Sequence, residues 1–444
     1  MNCHQARENM FEFVRGELGE DEMEQMRAHL KSCEECTAQV DSTTKVLDLM
    51  IAASETPVAE AVEKMLLEAI PAKASDIHVE PKREGVRVRY RVDGVLHDAM
   101  TFAREMGPAI VTRIKHMAEM NVAETRTAQD GRMEKKIGDK QVDIRVSSIP
   151  SVYGEALVLR VLSRSDVLLG LEKLGPYPDQ LAQLKAIMRC PSGLFFATGP
   201  TGSGKTTLLY SMLREIDSET TKVMTIEDPV EYLLRGCVQA QVQKSAGFTF
   251  ASGLRAFLRH DPDVIMVGAM RDLETAEIGI EASVTGHLVL SALHTNDAPS
   301  ALIRLVDMGV EPYLVRAAVI GVVAQRLARR ICDNCKVAYQ AQAKDLREFG
   351  FAAQDPEQQV TLYRGEGCDA CRHTGYSGRT GIFELMTMSA EVGDLLTRRA
   401  PLADIRDAAR ANGMRDLRED GLRKVLDGVT TPDEVMRVVF TAGG

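Results

Sequence analysis

Nine consecutive residues, Gly199-Pro200-Thr201-Gly202-Ser203-Gly204-Lys205-Thr206-Thr207, have the types and spacing to hold a chain of phosphates. They read G-x-x-x-x-G-K-T, the P-loop pattern. Backbone N–H groups of such a loop, with the N-terminus of the helix behind it, hold triphosphate oxygens. Lys205 would neutralise the β- and γ-phosphates, and the Thr206 hydroxyl would help to bind Mg²⁺. A nucleotide and Mg²⁺ are therefore the expected ligands.

Two further groups of polar residues follow. Glu227, Asp228 and Glu231 lie in EDPVEY, directly after the apolar run Lys222–Ile226. Carboxylates at the C-terminal end of a buried strand beside a P-loop are placed to meet Mg²⁺ or a water. His287 and His294 bracket a second apolar run inside TGHLVLSALHTNDAPSAL. An imidazole at such a strand end could sense a γ-phosphate or fix the geometry around it.

Seven of the nine cysteines fall at metal-ligand intervals. Cys332, Cys335, Cys368 and Cys371 form two C-x2-C pairs separated by 32 residues, a four-cysteine set for structural Zn²⁺. Cys3, His29, Cys33 and Cys36 form C-x25-H-x3-C-x2-C, a second closed tetrahedral set, with His4 as an alternative ligand or a neighbouring group. Cys190 and Cys237 remain as single thiols. This usage fits a reducing compartment and zinc rather than disulfides.

Elements that could position these groups follow from periodicity. Leu194–Thr198 before the P-loop reads as a buried parallel strand and Thr206–Glu215 after it as a helix. Lys222–Ile226 and Val264–Gly268 read as further buried strands, which makes a doubly wound α/β core. Upstream, helical stretches over Glu8–Leu18 and Asp21–Leu30 set His29 and Cys33 one turn apart on one helix. Residues 41–57 read as a short helix and linker, and Ala59–Ile70 as an amphipathic helix closed by Pro71. Alternating residues from Val86 to Val92, a turn at Asp93-Gly94, a helix from Pro108 to Met120 and hairpins up to Leu162 predict a compact α+β domain with a mostly antiparallel sheet. Near the end, Gly375–Glu384 reads as a turn and short strand, and Thr430–Glu434 as a capping signature opening the last helix. The expected division is a helical zinc domain over 1–50, the α+β domain over 58–165, the nucleotide-binding core over 166–330, and a zinc subdomain with C-terminal helices over 331–444. The chain is long enough for about three domains.

The 444 residues carry a formal net charge of −10, which argues against a general nucleic-acid binder. No run of 18 apolar residues and no signal-peptide core is present, so the expected location is the cytoplasm or the inner face of a membrane, where the family named below would place it peripheral to the inner membrane.

The motifs ASDIHVEP, VRYRVDGVL, QDGR, DIRVS and GEALVLRVL, followed by the P-loop and the acidic and histidine boxes, resemble the ATPases of type II secretion and type IV pilus assembly. The resemblance runs from about residue 58 to the end, and the four C-terminal cysteines point to the secretion and pilus-extension branch. Residues 1 to about 40 resemble the zinc-binding domain of many anti-sigma factors. The first resemblance implies a RecA-like core with an α+β N-terminal domain, a homo-hexamer and an inner-membrane platform protein. It also implies pilin-like cargo and arginines acting on nucleotide, with Arg91, Arg132, Arg145 and Arg160 as candidates. The second implies a protein-binding module, and so a possible cytoplasmic adaptor as partner.

One position departs from the family. The strand Val264–Gly268 is the family's Walker B region, where a glutamate after the glycine activates the attacking water; here that residue is Ala269. Alanine accepts no proton, and loss of a general base costs about 10²–10⁴-fold in rate. Three explanations stand open: a variant made to trap bound ATP, a chain with a slow or inactive motor, or replacement of the base by Glu227 or Glu231. Two functions follow. One is a motor subunit coupling ATP binding and hydrolysis to pilin or pseudopilin assembly, impaired in hydrolysis. The other is a non-hydrolysing ATP-binding regulator or scaffold that recruits a partner through the N-terminal zinc domain. Anti-sigma regulation rests on the first forty residues alone.

Overall fold

The computed structural model describes residues 1–15, 18–54, 56–137, 140–163, 170–216, 219–351, 355 and 357–440, without the side chains of 46–54, 56, 140, 162, 163 and 348. It divides into two compact units, Met1–Ser165 and Asp166–Gly444.

The first unit opens with four helices, α1 (Cys3–Glu8), α2 (Met10–Arg15), α3 (Glu20–Leu30) and α4 (Glu34–Ser54). Three differences from the sequence reading appear here. Instead of one helix over Glu8–Leu18, the chain breaks at Asn9, which closes α1, while Asn2 caps its start. Helix α3 stops at Leu30, so Cys33 lies in a turn before α4 rather than one helical turn beyond His29. Thr37 holds that turn by donating to the carbonyls of Leu30 (2.7 Å) and Cys33 (2.9 Å). Residues 41–54 are no linker: with neither glycine nor proline before Pro57, α4 runs on for 21 residues. Among the described residues, the buried core of this module is small: Ala6, Met10, Met26, Cys36 and Val40. Cores of this size usually need a metal or disulfide to hold them.

The rest of this unit is α5 (Thr56–Ala69), β1 (Ala74–Pro81), β2 (Val86–Val92), β3 (Val95–Phe102), α6 (Gly107–Met117), β4 (Gln129–Ile137), β5 (Lys140–Ser151) and β6 (Gly154–Ser163). The strands form one sheet in the order β3-β2-β1-β6-β5-β4, every pair antiparallel. Alternation in β2 buries Val86, Val88 and Tyr90 against α5 and α6 while the arginines between them face outward.

The second unit contains α7 (Pro178–Met188), β7 (Gly193–Thr198), α8 (Lys205–Glu215), β8 (Val223–Glu227), β9 (Cys237–Gln241), α9 (Phe250–Phe257), β10 (Val264–Val267), α10 (Leu273–Val284), β11 (Leu288–Leu293), α11 (Ala298–Asp307), α12 (Pro312–Ala318) and β12 (Val319–Ile331). It ends with β13 (Lys336–Gln342), β14 (Gln359–Gly365), β15 (Tyr376–Thr387), α13 (Ala390–Thr397), α14 (Leu402–Ala411), α15 (Leu417–Leu426) and α16 (Pro432–Val439). Its sheet runs β15-β12-β7-β11-β10-β8-β9, parallel throughout except for the antiparallel β12–β15 pair. Strands β7, β8, β10 and β11 are buried at every residue, as parallel strands covered on both faces must be. The expected short strand after Gly375 is a twelve-residue member of this sheet, because Thr380–Met386 is buried against β12. A division at residue 330 would separate two strands that pair over most of their length. Thr431 caps α16 by accepting the Glu434 N–H, as its sequence signature predicts.

Candidate nucleotide site and two metal centres

The P-loop leaves β7 at Thr198 and enters α8 at Lys205, at the C-terminal edge of the parallel strands. Gly199, Gly202 and Gly204 have φ of 145°, 80° and 92°, conformations that side chains resist. A Cβ at Gly199 would also stand 2.6 Å from both the Gln325 carbonyl and the Ser203 hydroxyl. The loop thus fits closely against β12. Buried Ser203 Oγ, Gln325 Oε1 and Arg326 Nε at its root have no hydrogen-bond partner, while Thr206 is exposed. Lys205 Nζ donates to the carbonyls of Gly199 (2.7 Å) and Pro200 (3.0 Å). Burial, with Arg326 nearby, brings its pKa down to about 8. Tight glycines, unpaired polar atoms, an exposed hydroxyl and a helix N-terminus fit a polyphosphate with its cation.

The loop after β11 lies beside the P-loop. Thr198 accepts the Thr295 N–H at 2.8 Å, and their hydroxyls are 2.8 Å apart. Partial burial, Lys205 and Arg271 pull His294 below the ordinary histidine value, which favours its neutral form. His287 is elsewhere. It precedes β11, its carbonyl accepting the N–H of Gly193 at the start of β7, and its ring contacts the Ala282 carbonyl at 2.8 Å. Because β7 and β11 are parallel, His287 stands at the opposite edge of the sheet from the P-loop. Of the two histidines expected beside phosphate, only His294 lies at the P-loop edge of the sheet, and His287 does not.

Glu227 ends β8 as a buried carboxylate that accepts from Thr225 Oγ1 (2.6 Å), Gln239 Nε2 (3.2 Å) and the Tyr210 hydroxyl. Asp228 pairs with Lys244 at 3.4 Å, and the Glu231 N–H reaches the Tyr210 hydroxyl at 3.4 Å. Ala269 is buried just past β10, between Gly268, whose N–H donates to Ile226, and Met270, whose N–H donates to Ala292. Its methyl side chain brings no acid or base to this edge.

The four arginines lie on the sheet of the first unit. Arg132 pairs with Asp143 (Nε to Oδ1, 2.8 Å) and faces Arg145 across β4 and β5, while Arg160 (3.1 Å) and Arg91 (3.8 Å) converge on Asp76.

Both metal-ligand sets assemble. The ligand atoms of Cys3, His29, Cys33 and Cys36 lie within 4.8 Å of one another, as do those of Cys332, Cys335, Cys368 and Cys371. His29 Nε2 is buried without a partner, as a metal-facing nitrogen would be. At the second set, N–H groups of Cys368 (3.2 Å) and Gly375 (3.3 Å) point at Cys371 Sγ, and that of Gly367 (3.3 Å) at Cys335 Sγ. Amides aimed at sulfur suit thiolates, and three or four thiolates in a closed set suit Zn²⁺. His4 is exposed beside Glu8 and outside the first set.

Sequence reasoning missed Gln325, Arg326 and Glu384. Their signal was a polar or charged residue interrupting an apolar strand, in VVAQRLA and IFELM.

Comparison with known proteins identifies relatives of the chain. A family model described as type II/IV secretion system protein matches residues 51–437, and one described as a putative zinc-finger matches residues 3–37. The chain is 46% identical over 403 residues to the type II secretion system protein HxcR of Pseudomonas aeruginosa, covering 91% of this chain and 82% of that protein. To the type II secretion system ATPase E of Vibrio cholerae it is 43% identical, covering 88% and 77%. To the type IV pilus assembly ATPase PilB of Thermus thermophilus it is 44% identical, covering 86% of this chain and 43% of that longer protein. The solved pilus retraction motor PilT with bound ADP superposes with a TM-score of 0.56 at 25% identity, covering 84% of this chain and 96% of PilT. The Legionella pneumophila ATPase DotB shares the fold, with a TM-score of 0.61 at 20% identity over 84% of this chain and 94% of DotB.

Proposed function

Because the chain belongs to the type II/IV secretion system protein family, we propose that it is an ATP-binding motor subunit of a secretion or pilus-assembly machine, competent to bind ATP–Mg²⁺ but impaired in hydrolysing it. One observation carries the second half: buried Ala269 stands where the water-activating glutamate of the family is expected, beside an intact P-loop. Lys205 and the loop amides hold the β- and γ-phosphates, Thr206 contributes to Mg²⁺, and His294 faces the γ-phosphate. Glu227 makes a poor substitute base, because three donors already hold its carboxylate away from water.

The wider assembly is carried over from the family: a homo-hexamer, an inner-membrane platform protein, and arginines such as Arg132 and Arg145 acting on nucleotide. Two Zn²⁺ ions hold the cysteine sets. No described helix is long and apolar enough to cross a membrane. A second reading, a non-hydrolysing regulator recruiting a cytoplasmic adaptor, draws on the zinc-finger match to residues 3–37. Titration with a fluorescent ATP analogue, together with the mass in solution with and without ATP–Mg²⁺, tests the core of the proposal. Saturable binding lost in Lys205→Ala and a sixfold mass support it; binding unaffected by that substitution contradicts it.

A further inference from the structure

Strands β12 and β15 set Arg326 and Glu384 deep in the second unit, both buried in an otherwise apolar setting. They grip the two ends of one short segment. Arg326 Nη2 donates to the Asn296 carbonyl at 2.8 Å, and Glu384 Oε1 accepts the Ala298 N–H at 2.6 Å. The preceding residue, Thr295, is tied to Thr198 at the foot of the P-loop. The loop carrying His294 is therefore fastened to the P-loop strand on one side and to the β12–β15 pair on the other.

Glu384 makes a second connection. Its Oε2 accepts the N–H of Leu417, the first residue of α15, at 3.3 Å. One buried carboxylate thus serves the first turns of two helices, α11 and α15, whose caps are Asp297 and Asp416. Arg406 of α14 reaches the same Asp297 at 2.8 Å. Strand pairing requires none of this, and an apolar side chain would suit the sheet better, since a buried carboxylate is costly unless its oxygens are satisfied. Burial, opposed in part by the Ala298 N–H and reinforced by Asp297 and Asp416, pushes the Glu384 pKa up to about 7.

We propose that Glu384 is a positioning residue that couples the loop 294–298 to the N-terminus of α15, so that nucleotide at the P-loop changes the C-terminal helices of the same chain. The inference rests on the nucleotide-binding reading. Phosphate drawing on His294 shifts the segment up to Ala298. Because Ala298 and Leu417 donate to opposite oxygens of one carboxylate, displacement of the first donor alters the bond to the second. Glutamine has a single acceptor oxygen, so Glu384→Gln breaks one connection while keeping the shape. Leu417→Pro removes the other donor at a first helical position, where proline is tolerated, after Asp416 in the extended conformation that precedes a proline.

Hydrogen exchange on the full chain, with and without ATP–Mg²⁺, tests this alongside titration with the fluorescent ATP analogue. In the unmodified chain, nucleotide is expected to slow exchange in the first turn of α15 by about fivefold or more, the low end of typical coupling between sites. In Glu384→Gln or Leu417→Pro, nucleotide still protects the P-loop and the start of α8, but the response of α15 is lost. Bound nucleotide with an unchanged α15 response in either folded variant overturns the coupling alone. Absence of nucleotide binding in the unmodified chain overturns the nucleotide reading, and the coupling with it.

Discussion

Tyr210, on the helix that follows the P-loop, donates its hydroxyl to the carboxylate of Glu227 at the end of the neighbouring acidic strand. Both side chains are buried, and Thr225 and Gln239 complete the donors to Glu227. A carboxylate in this state is a fixed part of the scaffold around the phosphate site. Burial and the adjoining Glu227 together raise the Tyr210 pKa, so the phenol stays a donor. Tyr210→Phe removes one donor and leaves a buried acceptor under-satisfied, which should lower stability by about 1–3 kcal/mol. Urea unfolding measures this, and an unchanged midpoint would show that the bond contributes little.

Nucleotide affinity should depend on pH through Lys205. Burial and Arg326 lower its pKa to about 8 in the free chain, whereas bound phosphate favours the charged ammonium. Below pH 8 the lysine is already charged and binding varies little. Above it, binding must take up a proton, so affinity falls by up to about tenfold per pH unit until the bound-state pKa is reached. Titrations between pH 7 and pH 9.5 at fixed ionic strength check this. A flat profile would mean that Lys205 stays protonated without nucleotide.

The two cysteine sets should hold about one Zn²⁺ each, because both are closed and tetrahedral in composition. Metal analysis of the purified chain is expected to give about two zinc ions, reduced to about one by either Cys33→Ser or Cys371→Ser. Chelation should unfold the N-terminal module first, since the buried residues described there make only a small core. A single zinc unaffected by Cys33→Ser would eliminate the N-terminal centre.

Much of this was legible in the sequence where one residue type serves one purpose. The P-loop glycines, the C-x2-C pairs and the unbroken apolar strands each have a local pattern, and the structure places them accordingly. His287 was misread because a strand has two ends, and periodicity does not say which faces the P-loop; only the parallel pairing of β7 with β11 decides that. The extent of α4 is not legible because the polar residues Asp41–Lys45 resemble a linker, while nothing but the absence of glycine and proline marks the helix as continuing. Glu384 lay beyond sequence reasoning, since its partners Ala298 and Leu417 are brought to it only by the fold.

The proposed site captures ATP while lacking the group that activates water. Phosphate release by the chain as it stands and by Ala269→Glu, both at saturating ATP–Mg²⁺, measures it most directly. Near-background turnover is expected for the former and a gain of about 10²–10⁴-fold for the latter, with nucleotide affinity little changed. Turnover by the unmodified chain equal to that of Ala269→Glu would contradict it.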